Sequence, residues 1–295
     1  MQVENDRPEV NIDCIVFATD FSSYSENAGR YARQLAQYYA AKLLVTHVFH
    51  AGPAAMEADA LSSNLSRERE HISSRLTRAA HALSTGGVDA RPILLEGNTE
   101  TMIATLADQH APALIVLGTH EEGRMERQVV GSTAERIIRS TPWPCLLLGP
   151  HLPLATANAV PFQHILYASD FTPAAANAAI YAISLAKEAG AAIDVLNVIP
   201  ASTVEHPDQL SKLQKHFLRE LDQLVPEHAR EACNPRTFVY TGDAQHRVHE
   251  HIEQHKIDLL VIGVHKRSHL DQKIRSSHAF RLVSESPCPV LTIRS

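Results

Sequence analysis

The sequence predicts an α/β protein made of two doubly wound parallel sheets, each with five strands. Short apolar runs alternate with helical patterns along the chain, which is typical of a parallel sheet with right-handed crossovers. The stretch IVFATDFS at residues 15–22 also recurs as ILYASDFT at residues 165–172. A chain of 295 residues is long enough for two domains that each bury a core.

The repeat extends far beyond that stretch. Residues 114–120, LIVLGTH, match residues 259–265, LLVIGVH, and the register then holds to the proline-rich segment before each last strand. Two copies of one domain account for this self-similarity. Prolines and a lack of periodicity mark the segment between the copies as a linker. The predicted order is a flexible N-terminus at 1–10, domain 1 at 11–149, a linker at 150–161 and domain 2 at 162–295.

In the first repeat a mostly apolar strand is predicted at 13–18. Ser22 or Ser23 caps the helix that follows, and Glu26 stands in the capping-box position relative to Ser23. Apolar residues at helical spacing then mark one buried face. The remaining predicted elements are a strand at 43–48, a helix at 57–84, a strand at 91–95, a helix at 99–110, a strand at 113–117 stopping at Gly118, a helix from Ser132 and a strand at 145–148.

The second repeat shows the same alternation. Thr172 and Pro173 supply an N-cap and a first helical residue, a pair that suits a helix start. The other predicted elements are strands at 165–168, 193–198, 236–240, 259–262 and 289–293, with helices at 207–225 and 244–255.

Composition excludes several classes of function. The net charge is −6 and no basic block occurs, which argues against nucleic acid as a partner. No apolar run has the length of a membrane span, so no membrane association is predicted. The N-terminal residues are polar and acidic, unlike a signal peptide. Four scattered cysteines without a CxxC pair are interpreted as buried thiols, and the expected compartment is the cytoplasm.

A candidate anion site follows the fourth strand of the first repeat. That strand stops at Gly118, a charged loop follows, and Gly131, Ser132 and Thr133 open a helix. A helix N-terminus offers unpaired N–H groups and a partial positive charge, and a glycine lets a phosphate approach the backbone. Because many strand–glycine–helix junctions bind nothing, phosphate binding and a purely structural junction both stay open at this point.

These features together resemble the universal stress protein family in its tandem form. They are the repeat, the acid after the first strand, and the run GTH…GSTAER that precedes a Pro-x-Pro strand. The resemblance covers residues 12–293. It implies the adenine-nucleotide α-hydrolase-like fold, with strand order 3-2-1-4-5 in each domain. It also implies an internal pseudo-dimer that pairs through residues 145–148 and 289–293.

The resemblance further implies ATP as the ligand, because ATP-binding members carry glycine, two residues, glycine, nine residues, then glycine and Ser or Thr. The first repeat matches this pattern except at Glu121, which replaces the middle glycine. A carboxylate 4 Å from a phosphate charge costs about 1 kcal/mol in water and about 4 kcal/mol near a protein surface. In the second repeat Lys266 and Ser276 replace two glycines. We therefore expect the first repeat to bind nucleotide and the second site to be degenerate.

Site residues are carried over position by position. The resemblance places Asp20 near adenine and ribose, the backbone of Val48 against the base, and the remaining residues near ribose or phosphate. Each has an ordinary structural alternative as a strand-end acid, a core residue, a loop-closing residue or a helix cap. The nucleotide-binding residues so implied are Asp20, Val48, Gly118, Thr119, His120, Gly131, Ser132 and Thr133.

Two histidines and the motifs of known enzymes bear on whether the chain binds a metal ion or catalyses a reaction. His251 and His255 lie four residues apart on a predicted helix and could share a metal ion. The surrounding run is not HExxH and no further ligand is evident, so a solvated helix face is favoured and no metal site is predicted. Neither a nucleophile elbow nor a P-loop occurs, and we predict no catalytic residues.

The sequence therefore predicts a cytoplasmic regulatory protein of the stress response. It is expected to bind ATP, with or without Mg²⁺, or another adenine nucleotide, mainly in domain 1. We expect a homodimer of tandem chains and an unidentified regulatory protein partner. The alternative is a nucleotide-free dimeric interaction scaffold. A slow ATPase is a weaker alternative, because no general base is evident.

Overall fold

The computed structural model of the chain describes residues 10–50, 59–119, 132–150, 152, 154–155, 159–203, 207–265 and 275–294. Strands and helices alternate through both repeats, so the predicted α/β class is confirmed. Across these described ranges, no helix combines the length and the apolar character that a membrane crossing needs.

Every element predicted for the first repeat is present, with ends that differ by a residue or two. The apolar runs form the strands, and the segments with helical periodicity form the helices. In chain order the elements are β1 (Cys14–Ala18), α1 (Ser23–Tyr38), β2 (Lys42–Phe49), α2 (Asp59–Leu83), β3 (Ala90–Glu96), α3 (Thr99–Gln109), β4 (Ala113–Gly118), α4 (Ser132–Ser140) and β5 (Cys145–Leu148).

The start of α1 decides between its two candidate caps. The Ser22 hydroxyl accepts the Ser25 N–H at 3.1 Å, and the Ser22 carbonyl accepts the Glu26 N–H at 3.0 Å. Ser22 is therefore the cap. The capping box based on Ser23 is wrong, because Glu26 is the fourth helical residue counted from this cap and not the third.

The second repeat confirms Thr172 as a cap, since its hydroxyl accepts the Ala175 N–H at 3.3 Å. A short helix after Pro226 was not predicted, and it ends where Asn234 takes a left-handed conformation. The elements are β6 (His164–Ala168), α5 (Pro173–Ala189), β7 (Ala192–Ile199), α6 (Pro207–Leu224), α7 (Glu227–Cys233), β8 (Arg236–Thr241), α8 (Ala244–His255), β9 (Leu259–Val264), α9 (Arg275–Glu285) and β10 (Val290–Arg294).

The two halves share one sheet of ten strands, which corrects the prediction of two five-stranded sheets. The strands that join the halves are the ones that the resemblance implied, at residues 145–148 and 289–293. The ten strands run in the order β3-β2-β1-β4-β5-β10-β9-β6-β7-β8, so each half keeps the expected order 3-2-1-4-5. Strands β5 and β10 pair antiparallel, with Leu147 opposite Val290 and Cys145 opposite Thr292. Pairing these strands satisfies N–H and C=O groups that two separate sheets would leave on open edges.

Apolar cores cover both faces of the sheet. One core packs α1, α2 and α5 against it and includes Leu146 and Leu291. The other packs α3, α4, α8 and α9 and includes Leu147 and Val290. Each core takes residues from both repeats, so the halves are joined by buried side chains as well as by backbone hydrogen bonds.

Candidate functional site

The crevice of the first repeat lies at the carboxyl ends of β1 and β4. These strands are neighbours, with Ala18 beside Leu117, while β2 lies on the other side of β1. The strand order therefore reverses between β1 and β4. In doubly wound sheets ligands bind at such a switch point, beyond the carboxyl ends of the strands.

A tight turn forms one lip of this crevice. Asp20 is exposed, and its Oδ1 accepts the Ser22 N–H at 2.9 Å and the Ser22 hydroxyl at 2.6 Å. The Thr19 hydroxyl accepts the Phe21 N–H at 2.9 Å. These bonds hold Phe21 at φ 62°, a left-handed conformation that bulky residues rarely adopt. In this structure Asp20 therefore performs the strand-end role that was its structural alternative.

The backbone of Val48 faces the crevice. The Thr46 carbonyl accepts the Thr19 N–H at 2.9 Å, so it points toward β1, and the Phe49 carbonyl accepts the Gly97 N–H at 3.2 Å, on the β3 side. Successive residues of a strand direct their N–H and C=O groups to opposite sides. Val48 therefore directs a donor and an acceptor toward the space beyond the end of β1, while its side chain is buried.

His47 is a crevice residue that the sequence reasoning missed. Its Nδ1 lies 2.7 Å from the Thr19 carbonyl oxygen, a hydrogen bond in the tautomer that carries the proton on Nδ1. Its ring centroid is 4.8 Å from that of Phe21, and the Arg75 guanidinium lies 4.4 Å from the same Phe21 ring. Its position as a histidine in the otherwise largely apolar strand β2 is the sequence feature that could have identified it.

The other lip is formed by Gly118 and Thr119. A Cβ added at Gly118 would be 3.5 Å from the Ser25 backbone, an ordinary contact, so packing does not require glycine there. Thr119 is buried, and its N–H and hydroxyl donate to the Leu148 carbonyl at 3.0 and 3.3 Å. Its side chain thus closes the loop onto β5, which was its structural alternative.

The predicted phosphate cradle is described only in part. His120, Glu121 and Gly131 lie outside the described residues. Ser132 is the first residue of α4 and Thr133 follows it half-buried, so a helix begins where the sequence predicts one. The structure brings Asp20, Val48, Gly118 and Thr119 to one edge of the sheet, and it leaves the glycine loop undescribed.

The second repeat rebuilds the same lip, with an aspartate and a phenylalanine at the same positions of the turn. The Asp170 Oδ1 accepts the Thr172 N–H at 3.1 Å and its hydroxyl at 2.5 Å, and Phe171 has φ 59°. Asn197 takes the place of His47 and donates to the Ser169 carbonyl at 2.8 Å. The turn is therefore a property of the repeated fold, independent of any ligand that one repeat binds.

Gly263 differs from its counterpart Gly118. A Cβ at Gly263 would lie 2.3 Å from the Ala174 carbonyl carbon and 2.4 Å from the Ala175 nitrogen, which backbone atoms cannot accommodate. The close packing of α5 on β9 explains this glycine without a ligand. Lys266 lies outside the described residues, and Ser276 and Ser277 are described only as part of α9.

The expectation of a solvated histidine face on α8 holds only in part. His246 is exposed and His249 is half-buried, and they lie 3.1 and 3.3 Å from Glu250 and Glu253. His251 is fully buried, so the expectation is wrong for that residue. Spacing along the helix did not reveal this, because the partner that stabilises the buried ring lies on β7.

Comparison with known proteins gives a consistent result. A profile described as the Universal stress protein family matches residues 11–149 and 161–294. Universal stress protein A homolog 1 of Coxiella burnetii is 29% identical over 139 residues, which cover 45% of this chain and 96% of that protein. A Thermus aquaticus universal stress protein is 28% identical over 134 residues, covering 45% and 96%. The crystal structure of a universal stress protein from Archaeoglobus fulgidus has a TM-score of 0.73 at 17% identity and covers 97% of each chain.

Proposed function

Because the chain belongs to the universal stress protein family, we propose that it is a stress-response regulator that binds an adenine nucleotide in its first repeat. The observation that carries this proposal is the backbone of Val48. It directs one N–H and one C=O into the crevice at the switch point between β1 and β4. Adenine presents a donor and an acceptor along one edge, and these complement the two backbone groups.

The ribose and the phosphates would then lie beside residues that surround Val48 at the same edge of the sheet. Asp20 lies at the lip of the crevice, within the family's pattern for contact with the ribose. The N-terminus of α4, at Ser132 and Thr133, supplies N–H groups and a favourable dipole for phosphates. We propose ATP with Mg²⁺, since the cation reduces the repulsion between the phosphates and Glu121.

The second repeat is proposed to have lost this site. Its Gly263 is explained by packing against α5, and Ser276 stands where the family pattern has a glycine. The chain would then act by binding and reporting one nucleotide, without catalysis. We further propose that the protein works in the cytoplasm. Its two repeats would form an internal pseudo-dimer, and two tandem chains would associate and contact a regulatory partner.

Nucleotide binding is tested on the purified chain. Denaturation should release an adenine nucleotide, and calorimetry with Mg-ATP should give one site per chain. Gly131→Val should abolish binding, because its side chain blocks close approach of phosphate to the backbone. The matched variant Ser276→Val, at the equivalent position of the second repeat, should leave binding unchanged. Absence of both released nucleotide and calorimetric heat would refute the proposal.

A nucleotide-free scaffold is the second candidate. It is favoured by two crevice side chains that already have protein partners, since Asp20 accepts bonds from Ser22 and Thr119 donates to the Leu148 carbonyl. It is also favoured by Glu121. Stress survival of cells that carry Gly131→Val separates the two candidates. A nucleotide sensor should lose function in this variant, whereas a scaffold should keep it.

A further inference from the structure

The second repeat contains a buried cluster of polar side chains that the nucleotide crevice does not use. Asp194 lies on β7 and is fully buried, as is His251 on α8. His164 at the start of β6 and Arg236 on the edge strand β8 complete the contacts to the carboxylate, and His255 lies one turn after His251. A charged residue inside an apolar strand is rare in proteins unless it is paired.

One atom of Arg236 lies at the centre of this cluster. Its Nη2 is 2.8 Å from Asp194 Oδ2, 3.0 Å from His164 Nε2 and 3.4 Å from His255 Nδ1. Its Nε donates to Asp194 Oδ1 at 2.8 Å. Arginine only donates, so a contact with either imidazole is a hydrogen bond only when that nitrogen presents its lone pair. Three potential acceptors therefore surround an atom with two hydrogens.

His251 is also oriented toward the carboxylate. Its Nε2 lies 2.8 Å from Asp194 Oδ2, and its Nδ1 lies 3.0 Å from the Tyr240 hydroxyl. A hydrogen bond from the second ring nitrogen to an oxygen is the usual support of a histidine that ligates a metal. Burial alone would raise the pKa of Asp194, but hydrogen bonds from His251 and Arg236 hold it well below its ordinary value. His164 adds to this effect in the tautomer that carries its proton on Nε2, the atom 3.2 Å from Asp194 Oδ1, and in that tautomer it does not accept from Arg236. The carboxylate is therefore ionised.

The first repeat shows that the fold does not need this cluster. The strand registers make Cys14, Leu44 and Arg91 the equivalents of His164, Asp194 and Arg236, and the helix caps make Leu106 the equivalent of His251. Cys14, Leu44 and Leu106 pack in an apolar core. Arg91 pairs instead with the exposed Asp89. Apolar side chains thus fill the same space, and a buried ion network is seldom required for stability.

We propose that Asp194, His251 and His255, with His164 as a fourth ligand, bind a divalent transition-metal ion. One ligand atom from each of the first three lies within 4.8 Å of the other two. Small side-chain rotations would place all three atoms at the usual zinc–ligand distance of about 2.0–2.2 Å from one central ion. Imidazole nitrogens with one carboxylate suit Zn²⁺ and its neighbours rather than Mg²⁺ or Ca²⁺. Zn²⁺ is the ion of choice for a test.

Arg236 occupies the position of the cation until the metal binds. Its side chain is 43% exposed on the edge strand, so it can leave toward solvent while the ion replaces its positive charge beside Asp194. The guanidinium and the ion compete for the same acceptors. Removing the arginine should therefore tighten metal binding, by about tenfold if the arginine leaves the site about a tenth of the time.

The test is a calorimetric titration of the chelator-treated full chain with Zn²⁺, followed by thermal melting. We expect one saturable site per chain and a rise in melting temperature. His255→Ala should lose the site, whereas His110→Ala, the equivalent change in the first repeat, should not. Arg236→Gln should tighten binding about tenfold. The matched variant Arg91→Gln should leave it unchanged.

Two further variants complete the design. His164→Ala should also weaken Zn²⁺ binding. This variant provides the test of the site if His255→Ala does not fold. Replacing the surface residues His246 and His249 together by alanine should leave the site intact. The proposal is overturned if wild type shows no saturable site, if binding survives loss of both His164 and His255, or if the two surface histidines account for it. Binding confined to Arg236→Gln would show that the arginine does not yield to the ion.

Discussion

At the residue scale, the same strained residue marks the crevice of both repeats. Phe21 and Phe171 adopt φ values of 62° and 59°, although a bulky side chain disfavours this region. In each case a hydroxyl at the preceding strand end accepts the phenylalanine N–H, and an aspartate accepts two bonds from the helix cap. Side-chain hydrogen bonds thus offset the strain and fix the direction in which the helix leaves the strand.

The four cysteines lead to a prediction at this scale. All are buried, and burial raises the pKa of Cys14 to about 11 and the pKa values of Cys145 and Cys288 to about 12. The thiolate is the reactive form. A thiol reagent at about pH 8, near the ordinary thiol pKa, should therefore modify none of the four in the native protein and all four after denaturation. Rapid modification of the native chain would contradict this burial.

The residue scale is also where the sequence predicted least. Asp194 and His251 are 57 positions apart, and their 2.8 Å contact depends on how α8 packs on β7. Helical spacing can group His251 with His255, but it cannot say which side of the helix is buried. The sequence feature that could have indicated the cluster is Asp194 itself, the one charged residue in the apolar strand β7. By contrast, Thr172 was predictable as a cap, because capping depends on adjacent residues.

At the element scale, glycine positions separate packing from ligand approach. Strand β9 meets the first turn of α5 so closely that a Cβ at Gly263 would lie 2.3–2.5 Å from its backbone, whereas one at Gly118 would be 3.5 Å from the nearest atom of α1. Glycine is therefore required by packing at position 263 but not at the equivalent position 118. A family pattern that counts both glycines as ligand-binding residues would therefore overestimate the evidence for a nucleotide site in the second repeat.

This contrast can be measured with two matched alanine variants. Gly263→Ala should lower the free energy of unfolding by about 1–3 kcal/mol, because the helix must shift to admit the methyl group. Gly118→Ala should change it by less than about 0.5 kcal/mol. Urea denaturation followed by circular dichroism provides the comparison. Equal effects of the two substitutions would contradict the packing explanation for Gly263.

Elements themselves were predictable because periodicity is local. The apolar runs of β1, β4 and β5 and the amphipathic pattern of α1 appear in the structure within two residues of their predicted ends. The short helix α7 was missed, since seven residues between Pro226 and Asn234 give too little periodicity to detect. Register between strands distant in sequence was likewise beyond pattern analysis.

At the scale of the whole molecule, the two repeats form one structural unit. Besides the β5–β10 ladder, the Arg294 guanidinium donates to the Arg139 carbonyl at 2.6 Å, and the Ala155 N–H in the linker donates to the Asn27 side chain at 2.9 Å. The repeat predicted two domains, and the family resemblance implied that they pair through residues 145–148 and 289–293, which the β5–β10 ladder matches. No local pattern in the sequence encodes that pairing by itself, because it depends on two edge strands that are far apart along the chain.

Unfolding should therefore involve both repeats together. Leu291→Ala in the second repeat removes a side chain from a core that both repeats share, and should cost about 2–5 kcal/mol. The single tryptophan, Trp143, lies in the first repeat, and its fluorescence should report the same lowered midpoint as circular dichroism. Leu154→Ala, at an exposed site, is the control and should have little effect. Two separated transitions would contradict the shared core.

The central claim is that the first repeat alone binds an adenine nucleotide against the backbone of Val48. Hydrogen exchange measured by mass spectrometry, with and without Mg-ATP, tests it most directly. We predict slower exchange in the peptide that contains Val48 and no change in the peptide that contains Val198, its equivalent in the second repeat. Unchanged exchange at Val48 with saturating Mg-ATP, or equal protection at both positions, would contradict the account.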